Sequence, residues 1–377
     1  MPELPRRQFL RISTAGTVAI AVGGPSLLLA ACDPAGLASP DALGLRLHPF
    51  FSARRVATTG HAVGGTGYLW PPNPDGGACF AQPGGGWSYV VNSESLPADA
   101  GASYIRFNAR GQIANAGRVL SDTLGNCAGG ATPWNTWLSC EEWPLGQVWE
   151  CHPTGASPAV ARPAMGRFTH EAAACDVANQ VIYLTEDRPD SALYRFVPDT
   201  WGDLSAGVLE VLTEVASVLS WATVPDPSAS VTPCKDQVPN TKRFNGGEGA
   251  AMTNGRLAFT TKGDTRVWLY DPAADSLSVI YDLAVQMGEL TNVDNVATNQ
   301  AGIIYVAEDG GNLQIVLVRE DGSSFPVIQA EGRAGSEITG PAFSPDGKRL
   351  YFSSQRNPGE TFEVKGPWDI FNSPDEP

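Results

Sequence analysis

The stretch MGRFTHEAAACDVANQVIYLTEDR, residues 165–188, alternates like a β-hairpin, starts on His170-Glu171 and ends on Glu186-Asp187. Its centre, Val177-Ala178-Asn179-Gln180, is a turn, and a β-branched and aromatic run follows it. The same design recurs along the chain. Asn126-Cys127 leads to WLSCEE, Gly247-Glu248 to LAFTTKGD, Asp294-Asn295 to IYVAED and Glu337 to LYFSSQ, and a weaker first copy ends at VVNSE, Asn92 to Glu94. The offset from the polar start to the polar end is 14 residues from Cys127 to Glu141, 15 from Glu171 to Glu186 and 14 from Asp294 to Glu308.

A second strand pair follows each hairpin, as in ALYRFVP, RVWLYDP with LSVIYD, and LQIVLVRED with SFPVIQA. The hairpin starts at 127, 171, 248, 294 and 337 are spaced by 44, 77, 46 and 43 residues. Four strands per roughly 45 residues is the period of a β-propeller. The spacing predicts an all-β, six-bladed β-propeller over 61–377, with an insertion around 199–245 accounting for the long interval. An antiparallel sandwich is the competing all-β arrangement, and the fixed period argues against it. Gly 41, Pro 30 and only 17% charged residues agree with many short elements and turns. The net charge of −15 excludes nucleic acid and anionic membrane surfaces as partners.

Residues 1–31 have the form of an export signal. Arg6-Arg7 precede Gln8-Phe9-Leu10, and an apolar, small-residue stretch runs from about Ala15 to Ala31. Leu29-Ala30-Ala31-Cys32 has the form of a lipobox, which makes Cys32 the expected site of a lipid anchor and the only expected link to a membrane. The expected location is periplasmic or at the cell envelope, after twin-arginine export. Residues 32–60 are expected to be a linker. Cys79, Cys127, Cys140, Cys151, Cys175 and Cys234 would then lie in an oxidising compartment, where disulfides are the default. Cys140 and Cys151 are the favoured pair; Cys127 is either a metal ligand or half of a disulfide.

In a propeller blade the innermost strand lines the channel and the second pairs with it antiparallel, so the start of one and the end of the other share an edge. That places Cys127 with Glu141-Glu142, His170-Glu171 with Glu186-Asp187, and Asp294-Asn295 with Glu308-Asp309 at one channel mouth. Crowded carboxylates raise one another's pKa and call for bound cations. Oxygen ligands suit Ca2+, and carboxylates with a thiolate suit iron. Arg188, Lys262 and Arg356 lie just past second-strand ends and are candidates to neutralise a phosphate. His170 is read as a hydrogen-bond partner orienting Glu171, the ten tryptophans as packing between blades, and Asp346-Gly347 as a plain hairpin turn.

These segments resemble the PhoX alkaline phosphatase family, in particular its shorter members. The runs that carry the resemblance are GNCAGGATPWNTWLSCEEW (125–143), GRFTHEAAACD (166–176) with VIYLTEDR (181–188), NGGEGAAM (245–252), NVDNVATN (292–299) with VAEDG (306–310), and the long run from Gly335 to Trp368. The resemblance implies a six-bladed propeller exported by the twin-arginine route, with ferric (Fe3+) and calcium (Ca2+) ions at the channel mouth, acting on phosphate monoesters. It implies catalytic roles for Glu142, Glu171 and Glu248. The implied metal ligands are Cys127, Glu141, Glu142, Glu171, Glu248, Asp294, Asn295, Glu308 and Glu337. The expected partner is a small phosphorylated substrate, and the expected state is a monomer. Two other functions fit the same acids: a calcium-dependent lactonase or phosphotriesterase, and a non-catalytic metal-binding lipoprotein.

Overall fold

The computed structural model describes residues 36–286 and 288–372 of the chain. The expected export signal, residues 1–31, and Cys32 lie outside the described residues. Six antiparallel sheets form a ring, and the protein is a six-bladed β-propeller. The innermost strands, blade one to blade six, are Pro74–Ala81, Asn126–Ala131, His170–Asp176, Gly247–Thr253, Val293–Thr298 and Ile338–Phe343. Each contacts the next, and the sixth returns to the first. The second strands are Trp87–Ser93, Trp137–Glu141, Val181–Glu186, Arg256–Thr261, Ile304–Glu308 and Arg349–Ser354. The one α-helix among the described residues is Leu283–Gln286, and no described helix is long and apolar enough to cross a membrane.

The segment expected to be a linker contains strands. Ser52–Thr58 pairs with Glu360–Lys365 as the outer strand of blade six, and Leu45–Leu47 adds a fifth strand to blade five beside Ser324–Ala330. The N-terminal segment therefore closes the ring by joining the last blade, which leaves that blade's outer edge paired. Blade three also has five strands. Its long Asp203–Val215 strand pairs with Val218–Thr223, and irregular chain then leads to blade four. This extra material fills the 77-residue interval.

The core lies between blades. Tyr89 of blade one stacks on Tyr351 of blade six with ring centroids 4.8 Å apart, and Trp87 Nε1 donates to the Tyr351 hydroxyl at 3.1 Å. Trp137 Nε1 of blade two donates to Asn92 Oδ1 of blade one at 2.9 Å. The expected disulfides are absent among the described residues, and all six cysteines there are free. Cys140 stands opposite Val148 and Cys151 opposite Trp137, three residue pairs apart along the ladder. At about 3.3 Å per residue that separation exceeds the reach of a disulfide.

A candidate metal centre at the channel mouth

Five of the six inner strands break register at one place. The irregularity falls between Pro74 and Gly77, Asn126 and Gly129, His170 and Ala173, Gly247 and Ala250, and Val293 and Val296. The residue opening each bulge is Asp75, Cys127, Glu171, Glu248 or Asp294. A β-bulge re-aims the side chain it carries, and repeating it around a ring turns five such side chains toward one point. Blade six departs from this pattern. Its bulge falls between Thr339 and Ala342, and its acid, Glu337, lies just ahead of the strand.

In blades one to four the residue after the mouth side chain is Gly or Ala, for a steric reason. A Cβ on Gly76 would meet the Ala128 backbone at 2.5 Å, and one on Gly249 would meet the Val296 nitrogen at 2.3 Å. Neighbouring inner strands approach backbone to backbone here. The bulge also frees carbonyls from the ladder, and neighbouring blades satisfy them. Thr185 Oγ1 donates to Glu248 O and Thr260 Oγ1 to Asp294 O, both at 2.6 Å, while Asn92 Nδ2 donates to Cys127 O at 3.1 Å and Ala128 O at 2.7 Å. Below the mouth the channel narrows to a cavity of about 320 Å³ lined mostly by Gly and Ala of the inner strands.

A second ring surrounds the first. The backbone N–H groups of Glu94, Glu142, Asp187, Lys262, Asp309 and Gln355 donate to the carbonyls of Asn73, Gly125, Thr169, Gly246, Asn292 and Glu337 at 2.8–3.2 Å. These six residues are the exits of the second strands. Alternation along the strand then sorts each acidic pair. The first acid turns into the blade and binds backbone amides: Glu141 accepts from Leu124 N at 3.3 Å and Gln147 N at 3.0 Å, and Glu308 from Thr291 N at 2.6 Å and Gln314 N at 2.9 Å. Glu186 does the same with Ala192 N at 3.1 Å. The second acid, Glu142 or Asp309, faces the mouth.

Three groups of donor atoms result, each with all its atoms within 4.8 Å of one another: Cys127, Glu142 and Glu171; Glu171, Glu248 and Asp294; Asp294, Asp309 and Glu337. Glu171 and Asp294 are shared, so the groups form one chain across the mouth. Cys127 Sγ donates to Glu171 Oε1 at 3.3 Å. Of the expected site residues, the structure brings Cys127, Glu142, Glu171, Glu248, Asp294 and Glu337 together. Glu141 and Glu308 brace loops instead. Asn295 Oδ1 accepts from Gly340 N at 2.6 Å and so ties blade five to blade six. His170 does not orient Glu171: its Nε2 bonds Gly166 O at 3.0 Å and its ring stacks on Phe168. Burial lowers its pKa to about 4, so the ring is neutral.

Sequence reading missed Asp75, and it placed Glu94 and Asp309 at strand ends without assigning either to the site. Asp75 is 1% exposed, and its Oδ1 has no hydrogen-bond partner among the described residues. The signal for it was available, because NPDGGA (73–78) parallels GNCAGGA (125–131). Arg188 is exposed, its Nε donating to Thr169 Oγ1 at 3.0 Å. Lys262 Nζ lies 2.9 Å from Asp309, 3.3 Å from Glu248 and 3.8 Å from Asp294. Arg356 contacts Glu337 at 2.6 Å and Glu94 at 3.3 Å.

Burial and mutual repulsion shift the mouth acids upward. Burial, then Glu248 and Glu142, raise Glu171 well above the carboxylate range; burial, then Asp294, do the same to Glu248. Burial, against the pull of Lys262, takes Asp294 to about 6. Burial with Asp187 takes Glu142 to about 8, and burial with Asp294 takes Glu337 to about 10. The residues fit bound cations. Glu171 is 0% exposed, and its Oε2 has no hydrogen-bond partner among the described residues. Donors within 4.8 Å suit a shared ion about 2.0–2.6 Å from each.

Fold and site together define the class: a six-bladed β-propeller whose channel mouth carries a chain of thiol and carboxylate donors able to hold cations. A family model described as Alkaline phosphatase PhoX matches residues 95–148 and 145–258, a span that includes Cys127, Glu142, Glu171 and Glu248, so this part of the chain is similar to the PhoX alkaline phosphatase family. The structure of Pseudomonas fluorescens PhoX in complex with vanadate, a transition state analogue, matches with a TM-score of 0.73 at 16% identity, over 88% of this chain and 98% of that one. A putative gluconolactonase matches with a TM-score of 0.52 at 12% identity, over 88% and 97%. The PQQ domain of pyranose dehydrogenase from Coprinopsis cinerea matches with a TM-score of 0.52 at 11% identity, over 86% and 98%. At these identities the likeness is one of fold. No curated protein matches the sequence.

The raised acids set a pH dependence for the metal-free protein. Unfolded Asp and Glu lose their protons near pH 4, whereas Asp294, Glu142 and Glu337 keep theirs in the folded state to about 6, 8 and 10. Across that window the unfolded chain binds fewer protons, so stability falls as pH rises. Metal-free protein is expected to melt at a lower temperature at pH 8 than at pH 5. Calcium should recover more at pH 8, where its ligands ionise more readily. Scanning calorimetry at both pH values checks this, and a metal-free melting temperature that rises from pH 5 to pH 8 would contradict it.

Proposed function

We propose that this chain is a member of the PhoX family, an exported, metal-dependent phosphatase that hydrolyses phosphate monoesters at a multi-metal site in the channel mouth. The observation that carries the reading is the chain of three donor groups sharing Glu171 and Asp294. A mouth this acidic repels a phosphate dianion, so cations must stand between the acids and the ester. The group with Cys127 offers a thiolate and carboxylates, a donor set suited to ferric iron. The two all-carboxylate groups suit calcium. Bound there, such ions would supply Lewis-acid polarisation of the phosphoryl group.

The protein's own residues have separable tasks. Glu171 and Asp294, buried and shared between groups, fix the spacing of neighbouring cation positions. Glu142, half-buried, borders both the site and solvent. Arg188 has no carboxylate partner among the described residues, whereas Lys262 and Arg356 are engaged with mouth acids. Its exposed guanidinium is the group best placed to take an anionic ester by charge-assisted hydrogen bonds. Two arginines at positions 6 and 7 and the lipobox ending at Cys32 support delivery to the cell envelope with a lipid anchor.

Glu171→Gln and Glu248→Gln are each expected to abolish hydrolysis of an aryl phosphate at alkaline pH while the fold survives. Gln keeps the shape and removes the charge that holds a cation. Asp346→Asn should leave activity nearly unchanged, since Asp346 accepts from Ser344 Oγ at 2.6 Å in the turn at the other end of its hairpin. Full activity in Glu171→Gln would place the site elsewhere. Metal-loaded protein that is inert to phosphate monoesters but cleaves a lactone would overturn the phosphatase reading.

The export proposal has its own test. Replacing Arg6 and Arg7 together by Lys should stop export, and Cys32→Ala should release exported protein from the membrane. Unchanged membrane attachment of the Cys32 variant would remove the anchor.

A further inference from the structure

The outer ring of the mouth contains one basic residue. Five strand exits carry Glu94, Glu142, Asp187, Asp309 and Gln355; the exit of blade four carries Lys262. Its backbone N–H donates to Gly246 O at 2.8 Å, the same bond that sets its five counterparts. The side chain therefore starts from the position of a ring acid and bends over the inner acids. Its ammonium lies within 4 Å of three carboxylates: Asp309 at 2.9 Å, Glu248 at 3.3 Å and Asp294 at 3.8 Å. Burial pulls its pKa down, but Asp294, Glu248 and Asp309 together hold it above the ordinary amine value.

The distribution of protein cations over the three donor groups is uneven. Asp294 and Asp309 of the third group face Lys262, and Glu337 of the same group faces Arg356 at 2.6 Å. The middle group is touched by Lys262 through Glu248 and Asp294. No Lys or Arg among the described residues forms an ion pair with Glu142 or Glu171 of the first group. The first group thus has no cation of the protein in direct contact, whereas the third is partly neutralised from within by Lys262 and Arg356.

Resting on the reading of the mouth as a metal site, we propose that Lys262 is a resident counter-cation at the seam of the second and third donor groups, and that calcium entering the third group must displace it. An ammonium 2.9 Å from Asp309 and 3.8 Å from Asp294 holds oxygens that a calcium ion in this group would need. Two cations cannot share those oxygens without strong repulsion. The third group therefore fills last and at a higher calcium concentration than its carboxylates alone would need. The site then responds to calcium over a window set by the lysine. Once displaced, the ammonium remains tethered beside the mouth, where it can meet an incoming anion.

Calorimetric calcium titration of the full chain tests this, with Lys262→Met removing the ammonium and Lys262→Arg retaining the charge. Lys262→Met is expected to bind calcium at its weakest site on the order of tenfold more tightly, because no ion pair is broken first. The metal-free form of that variant should melt at a lower temperature than wild type at pH 8, because its acids have lost their internal partner. Lys262→Arg should stay close to wild type in both measurements. Should Lys262→Met fail to fold without metal, Lys262→Gln, which keeps two N–H donors without the charge, takes its place. Unchanged or weaker calcium binding by a folded, uncharged variant would overturn the lysine's role and leave the metal site standing. Wild type that binds no calcium would overturn both.

Discussion

Repulsion among carboxylates at the channel mouth is the constraint on which the rest of the structure depends. Two unit charges 4.8 Å apart, at an effective dielectric of about 20, repel by roughly 3 kcal/mol. The mouth gathers Asp75, Glu142, Glu171, Glu248, Asp294, Asp309 and Glu337, most of them buried. Only a few such pairs would equal the whole stability of a typical domain, about 5–15 kcal/mol. The acids therefore cannot all be ionised without cations. The protein supplies two of its own, Lys262 and Arg356, and keeps other acids protonated when no metal is present. Stability, pH response and metal binding follow from that one imbalance.

The propeller tolerates the crowd because rigid backbone holds it. Each bulge aims one side chain at the mouth, in blades one to four the next residue is small enough for the neighbouring blade's backbone, and Thr or Asn from an adjacent blade takes up freed carbonyls. Glu141, Glu186 and Glu308 anchor the loops behind the mouth through backbone amides. A side chain held in this way cannot swing out to escape its neighbours. That preorganisation keeps donors at cation-binding distance before any ion arrives.

Most of the fold was legible in the sequence because the blade repeats at a nearly fixed interval, and the constant offset between strand start and strand end placed both at one edge. The closing strand Ser52–Thr58 was not legible: SARRVAT lies outside the repeat, and its partner Glu360–Lys365 is some three hundred residues away. In the site, the bulge acids from Cys127 to Asp294 were found through their register. Asp75 was missed because PDGG has the form of a turn, although its run NPDGGA parallels the run that carries Cys127. The pairs Glu141-Glu142 and Glu308-Asp309 were found as pairs. Which member faces the mouth depends on strand alternation at the last rung, and there the inner acid bonds to loop amides that the sequence does not locate. The cysteines read as disulfide candidates because export is expected, while the ladder holds Cys140 and Cys151 too far apart to join.

The central claim is that alternation at the strand exits separates metal-binding acids from loop-bracing ones. Elemental analysis of protein purified from its native host, for wild type, Glu142→Gln and Glu141→Gln, tests it most directly. The account predicts iron and calcium in wild type, loss of iron in Glu142→Gln, and wild-type metal content with reduced thermal stability in Glu141→Gln. Equal metal loss in both variants, or wild-type protein without metal, would contradict it.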